Sequence, residues 1–159
     1  MIRWLCRRRQ SNPRGFWTGA FVLWLCIVWG HSLLSGDISS QESSHFVFLI
    51  RPIFNLFGSN DEAAMTFAIR KTAHFCEYAV LLMLGRQMVC VWFGSAKKAW
   101  MALALIWVGV PCVDEGIQTL IPGRAGQPTD VLLDMAGGLT GVLVALAIGR
   151  VMKPAIPEG

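Results

Sequence analysis

The chain has 159 residues, 54% of them hydrophobic and 15% charged, with a formal net charge of +4 and a mean hydropathy of +0.51. Soluble domains carry roughly 25% charged residues, and disordered chains combine high charge with little apolar mass, so neither description fits. A nucleic-acid-binding surface is excluded too, because the positives do not gather in one patch: Arg3, Arg7, Arg8, Arg9 and Arg14 precede the first apolar block, Lys97 and Lys98 lie between the middle blocks, and Arg150 and Lys153 follow the last.

Residues 1–15 read as a basic cytoplasmic tail. The apolar block 16–35 is long for the core of a signal peptide, and no small-residue cleavage pattern follows it, so it is expected to be an uncleaved first span. Residues 36–62 form a polar loop around one apolar stretch, 45–57. That stretch is too short to cross a bilayer, and Pro52 is expected to interrupt a helix there; it is predicted to lie in the membrane interface. Span two covers 64–93 and carries Arg70, Lys71, His74 and Glu77 in its first half. A basic turn, 94–98, leads to span three, 99–121, which Pro122-Gly123 breaks. Span four covers 129–150, with Thr129 as its expected cap and Asp130 in the first turn, where the helix dipole favours an acid. Residues 151–159 are a second cytoplasmic tail.

The expected fold is therefore all-α, an integral membrane four-helix bundle with a short interfacial segment between spans one and two. The membrane domain runs over 16–150. An even number of spans puts both termini on one side, and the basic tail, turn and C-terminus place that side in the cytoplasm. Trp17, Trp92 and Trp100 then fall at the cytoplasmic interface, and the loops 36–62 and 122–128 face outward. The five cysteines, Cys6, Cys26, Cys76, Cys90 and Cys112, show no ligand or disulfide spacing and are read as small packing residues. Arg86, in the inner half of span two, is expected to snorkel to the cytoplasmic face.

Polar residues inside the spans carry the functional signal, because ionisable groups at membrane depth are costly unless paired or wetted. At 1.5 Å per residue, Glu77 lies roughly 9 Å along span two from Lys71, Asp114 roughly 10 Å before the outer end of span three, and Asp134 roughly 7 Å inside the outer start of span four. Three helices thus bring charge to one layer. Arg70, His74 and Glu77 fall within an arc of about 60° on span two. Asp114 and Gln118 share a face, Glu115 points about 100° away, and Asp130, Asp134, Gly137 and Gly141 form one stripe whose glycines permit close helix approach. The expectation is an outward-facing polar pocket between spans two, three and four.

The segment RKTAHFCEYAVLLMLG, followed by VDEGIQTLIPGRAGQPTDVLLDMAGGLTG, resembles the VanZ-like family. Its pattern is R-K-x-x-H-F-x-E-Y, then D-E-x-x-Q-x-x-x-P-G-R, then D-x-x-x-[ND]-x-x-G-x-x-x-G. Arg70, Lys71, His74, Phe75, Glu77 and Tyr78 match the first block; Asp114, Glu115, Gln118, Pro122, Gly123 and Arg124 the second; Asp130, Asp134, Gly137 and Gly141 the third. Asp134 stands where the family often has Asn. The family's Ser-rich end of the first helix is only loosely echoed by residues 31–35, so span one is read as apolar packing. The resemblance implies a bacterial cytoplasmic-membrane protein acting near the cell envelope, in a family named for a protein associated with resistance to teicoplanin. It supplies no reaction.

Three functions compete. The first is binding of a membrane lipid or lipid-linked wall precursor through an anionic headgroup, with Arg70, Lys71, Gln118, Arg124, Asp130 and Asp134 as binding residues. The second is an enzyme working on such a headgroup, with His74, Glu77, Asp114 and Glu115 as candidate acid/base residues. The third is a proton-coupled transporter, disfavoured because the carboxylates cluster in the outer third. His74 and Glu77 could instead be a clasp between spans two and three, and Arg124 could pair with Asp130 and Asp134 and fix its loop. Either Asp114, Glu115 or Asp134 could complete a metal site around them, but no helix supplies a second His, so no metal is assigned. No cofactor and no nucleic-acid partner is expected, and nothing sets the oligomeric state.

Overall fold

The computed structural model describes residues 13–58, 60–124 and 126–151, and only the backbone of residues 149–151. The tail residues Arg3, Cys6, Arg7, Arg8, Arg9 and Lys153, and the side chain of Arg150, lie outside what is described. Among the described residues the chain is helical throughout: α1 (Pro13–Ser32), α2 (Gly36–Ser44), α3 (Val47–Leu56), α4 (Glu62–Trp92), α5 (Ala96–Gln118) and α6 (Pro128–Val151). α1, α4, α5 and α6 are each long and apolar enough to cross a membrane, so the all-α membrane bundle of the sequence reading stands.

The spans start and stop a few residues from their expected limits, and the ends have local causes. α4 begins at Glu62 because Asp61 caps it, its side chain accepting from Ala63 N and Ala64 N. α6 begins at Pro128 rather than being capped by Thr129. Proline suits a first helical position, since its fixed φ is pre-set and no amide is lost, while the Thr129 hydroxyl turns to Gln127 Oε1. The expected single interfacial segment is two helices, α2 and α3. Pro52 lies inside α3; in so short a helix its missing amide removes a single bond. α3 exposes Phe48, Leu49, Ile53 and Leu56.

With 31 residues, α4 is roughly 46 Å long, more than the ~30 Å of a bilayer core. It is the axis of the molecule, in contact with α1, α2, α3, α5 and α6. The closest packing is against α6. A Cβ on Gly137 would run into the backbone of Phe75, and one on Gly141 into that of Ala79. The glycine stripe therefore lets two backbones touch one turn apart, as small-residue stripes do in membranes. At the opposite end of the bundle, Trp92 Nε1 donates to Thr18 Oγ1 at 2.8 Å and Arg14 Nε to Val91 O at 3.1 Å, tying the start of α1 to the end of α4.

Two apolar clusters fill the interior: Phe21, Val28, Tyr78 and Leu81 between α1 and α4, and Leu82, Val89, Ala99, Leu103 and Val142 among α4, α5 and α6. Arg86 does not snorkel outward. It is 3% exposed, with NH1 unbonded, among Val89, Cys90, Ala99, Trp100 and Leu103. Nor do the cysteines pack the core: Cys26, Cys76 and Cys112 are exposed, and the four described cysteines are free.

Candidate functional site

The polar residues collect at the end of the bundle where α1 and α5 finish and α6 begins. The loop from α5 to α6 is pinned there. Gly123 has φ of 75°, a left-handed conformation that favours glycine, and the turn it makes packs on the start of α2, where Gly36 N donates to Pro122 O at 3.2 Å. Gly36 has no room for a Cβ against the Gly123 carbonyl. This contact delivers Arg124 over the bundle, and its NH2 donates to His31 O at 3.0 Å.

Two cavities open beside Arg124. The first, about 210 Å³, lies among α4, α5, α6 and the loop, and includes Arg70, Lys71, His74, Glu115, Gln118 and Asp130 in its wall, with Asp134 at its base. The second, about 420 Å³, lies between α1, α2 and α4, and includes His31, Ser43, Phe46, Ile69 and Glu77. Arg70, His74 and Arg124 belong to both. The single pocket expected between spans two, three and four is thus a pair with a common wall, and Glu77 faces the second cavity, not the first.

Each predicted residue has a definite partner or a definite lack of one. Glu77 Oε1 is 2.6 Å from His31 Nδ1, so the clasp it makes joins span two to span one rather than to span three. Lys71 forms an ion pair with Asp130; Arg124 pairs with neither Asp130 nor Asp134. Asp114 and Glu115 diverge as their spacing requires. Asp114 Oδ2 accepts from Gln118 Nε2 at 3.3 Å, while Glu115 Oε2 accepts from Gln127 N at 2.9 Å and closes the loop. Asp134 is 1% exposed and 3.9 Å from His74 Nδ1, with both oxygens unbonded. His74, Asp114 and Asp134, from three helices, bring one potential ligand atom each to within 4.8 Å of one another.

Arg70 and Arg124 line the same two cavities, without a carboxylate at ion-pair distance among the described residues. Arg70 rests on the Phe67 ring at 5.8 Å. Arg124 Nε is buried and unbonded. Burial, and then the positive charge of Arg70, lower the Arg124 pKa from its usual value. Two like charges held this close are unfavourable unless an anion lies between them.

Span one contributes more than apolar packing. His31 closes on Glu77, and the fully buried Ser32 lies 3.5 Å from Gln118 Nε2. In the sequence the one signal for them is the loose echo, at residues 31–35, of the family's Ser-rich end of the first helix; neither periodicity nor charge marks them.

The VanZ/LLP1 family model matches residues 17–149. Comparison with curated proteins and with solved structures gave no match in either. The family match takes in most or all of each of the four long helices and the three polar blocks that meet at the cavities, and the chain belongs to the VanZ/LLP1 family.

Proposed function

We propose that this membrane protein binds the anionic headgroup of a lipid or a lipid-linked wall precursor between Arg70 and Arg124. The observation that carries this reading is the pair itself: two guanidinium groups shared by both cavities, neither neutralised by a carboxylate at ion-pair distance among the described residues. Guanidinium pairs suit phosphate, which accepts two parallel hydrogen bonds from each. The first cavity is polar and of headgroup size; the second, with Phe46, Ile69 and Ala73 in its wall, suits the apolar part of an amphiphile. The exposed apolar side chains of α3 fit a helix lying in the interface. The cavities then face outward from the bacterial cytoplasmic membrane, with both termini in the cytoplasm, as the positive-inside rule favours. A role in glycopeptide response would follow from holding a wall precursor.

Mass spectrometry of lipids retained by the purified protein tests this. Wild type is expected to retain a phosphate-bearing amphiphile, and Arg70→Gln/Arg124→Gln to lose it. An equal lipid profile in both would refute it.

The His31–Glu77 contact at the wall of the second cavity favours a second reading, in which a carboxylate-oriented imidazole acts as general base on the bound headgroup. Lipid and precursor profiles of cells carrying wild-type or Glu77→Gln protein separate the two. An enzyme changes the profile and the variant does not; a binding protein leaves both alike.

A further inference from the structure

Among the described residues, Asp134 stands out at the wall of the first cavity, with Asp114 close by. Asp114 and Asp134 are 0% and 1% exposed, yet both Asp134 oxygens make no hydrogen bond, and Asp114 has only the neutral groups of Ser32, Tyr78 and Gln118 beside it. Buried carboxylate oxygens without partners are costly anywhere and more so at membrane depth. One oxygen of each aspartate and one nitrogen of His74 lie within 4.8 Å of one another. The 3.9 Å between His74 Nδ1 and Asp134 Oδ1 is too long for a hydrogen bond, so the cluster does not satisfy itself.

We propose that His74, Asp114 and Asp134 form a binding site for a divalent first-row transition-metal cation such as Zn²⁺ or Mn²⁺. One imidazole and two carboxylates match that class, whereas Ca²⁺ and Mg²⁺ prefer oxygen alone. Metal–ligand bonds of about 2.1 Å place tetrahedral ligand atoms roughly 3.4 Å apart. The cluster therefore has to contract by at most about 1.4 Å to hold a tetrahedral ion.

The surroundings support this assignment. Gln118 donates to Asp114 Oδ2, fixing that carboxylate and leaving Oδ1 for the ion, as an outer-shell donor does. The buried Tyr78 hydroxyl lies beside Asp114 as a further neutral donor to that carboxylate. The nearby ammonium of Lys71 is neutralised by Asp130. His74 and Asp134 line the first cavity, so a three-ligand ion keeps a position open toward it. The site requires nothing of the anion held by Arg70 and Arg124.

The test uses the full chain, purified in uncharged detergent, stripped with EDTA and dialysed against Zn²⁺ or Mn²⁺ alone, with metal read by elemental mass spectrometry. Wild type and the Glu62→Gln control are expected to bind about one ion per chain, and Asp134→Asn and His74→Ala to bind at least roughly tenfold more weakly, the loss that even outer-shell changes cause. Zinc-edge X-ray absorption of the loaded wild type gives a readout that does not depend on the variants folding, and should show nitrogen and oxygen ligands without sulfur. Absence of a stoichiometric ion in wild type, a sulfur shell, or undiminished binding by folded Asp134→Asn would overturn the assignment.

Discussion

His31 Nδ1 lies 2.6 Å from Glu77 Oε1, and this contact ties the last turn of α1 to the middle of α4. His31 is half exposed while Glu77 is mostly buried, so the pair seals one side of the second cavity. Its carboxylate partner makes His31 part of the site, although neither periodicity nor charge marks it in the sequence. Removing the imidazole in His31→Leu is expected to lower stability by roughly 0.5–1.5 kcal/mol, the net value of one such hydrogen bond. In a double-mutant cycle with Glu77→Gln, followed by thermal unfolding in detergent, the two changes should be less than additive. Full additivity would mean that the contact carries no energy.

The glycine stripe gives a sharper contrast. Gly137→Val or Gly141→Val drives a side chain into the α4 backbone at Phe75 or Ala79, and neither backbone can yield locally. The expected cost is about 3 kcal/mol or more, the upper range for overpacking, visible as loss of monodisperse protein on gel filtration. Gly109 and Gly116 have open space where a Cβ would go, so Gly109→Ala and Gly116→Ala should behave as wild type.

Lys71 and Asp130 join α4 to the first turn of α6. Reversing one charge, in Lys71→Glu, puts two acids together and should lower the thermal midpoint. Reversing both, in Lys71→Glu/Asp130→Lys, should restore most of it. The coupling expected for a half-buried pair is about 0.5–1 kcal/mol. A double variant no better than the single ones would show that the pair is not formed.

Arg86 is a cation surrounded by apolar side chains. Replacing a buried charge that lacks a full set of partners by an apolar residue of similar length is often neutral or stabilising. Arg86→Met is therefore expected to match or exceed the wild-type thermal midpoint, and a clear drop would reveal a counter-charge that holds Arg86 in place.

The architecture was legible because apolar blocks of span length have few alternatives, and because the Gly137/Gly141 spacing marks a helix face that must meet another backbone. The layer of charge was legible for the same reason: Arg70, His74, Asp114 and Asp134 are expensive where they stand. Partner choice was not. Lys71, Arg124 and Glu77 had several acids or bases within plausible reach, and for Arg124 the turn that packs Gly123 on Gly36 aims it at His31 O. That packing depends on two glycines 87 positions apart in the chain, and no local pattern records it. The helix limits shifted where capping by Asp61 and Pro128 outweighed hydropathy.

The most direct measurement is the affinity of a short-chain phosphatidic acid for the purified protein in uncharged detergent, compared with inorganic phosphate and with the matching neutral diacylglycerol. Saturable binding of phosphatidic acid by wild type, weakened about tenfold or more in Arg70→Gln/Arg124→Gln while thermal stability is retained, is the expected result, since each charge-assisted contact to phosphate contributes about 1.5–3 kcal/mol. Equal affinity for the neutral lipid, or unchanged binding by the folded double variant, would contradict the account.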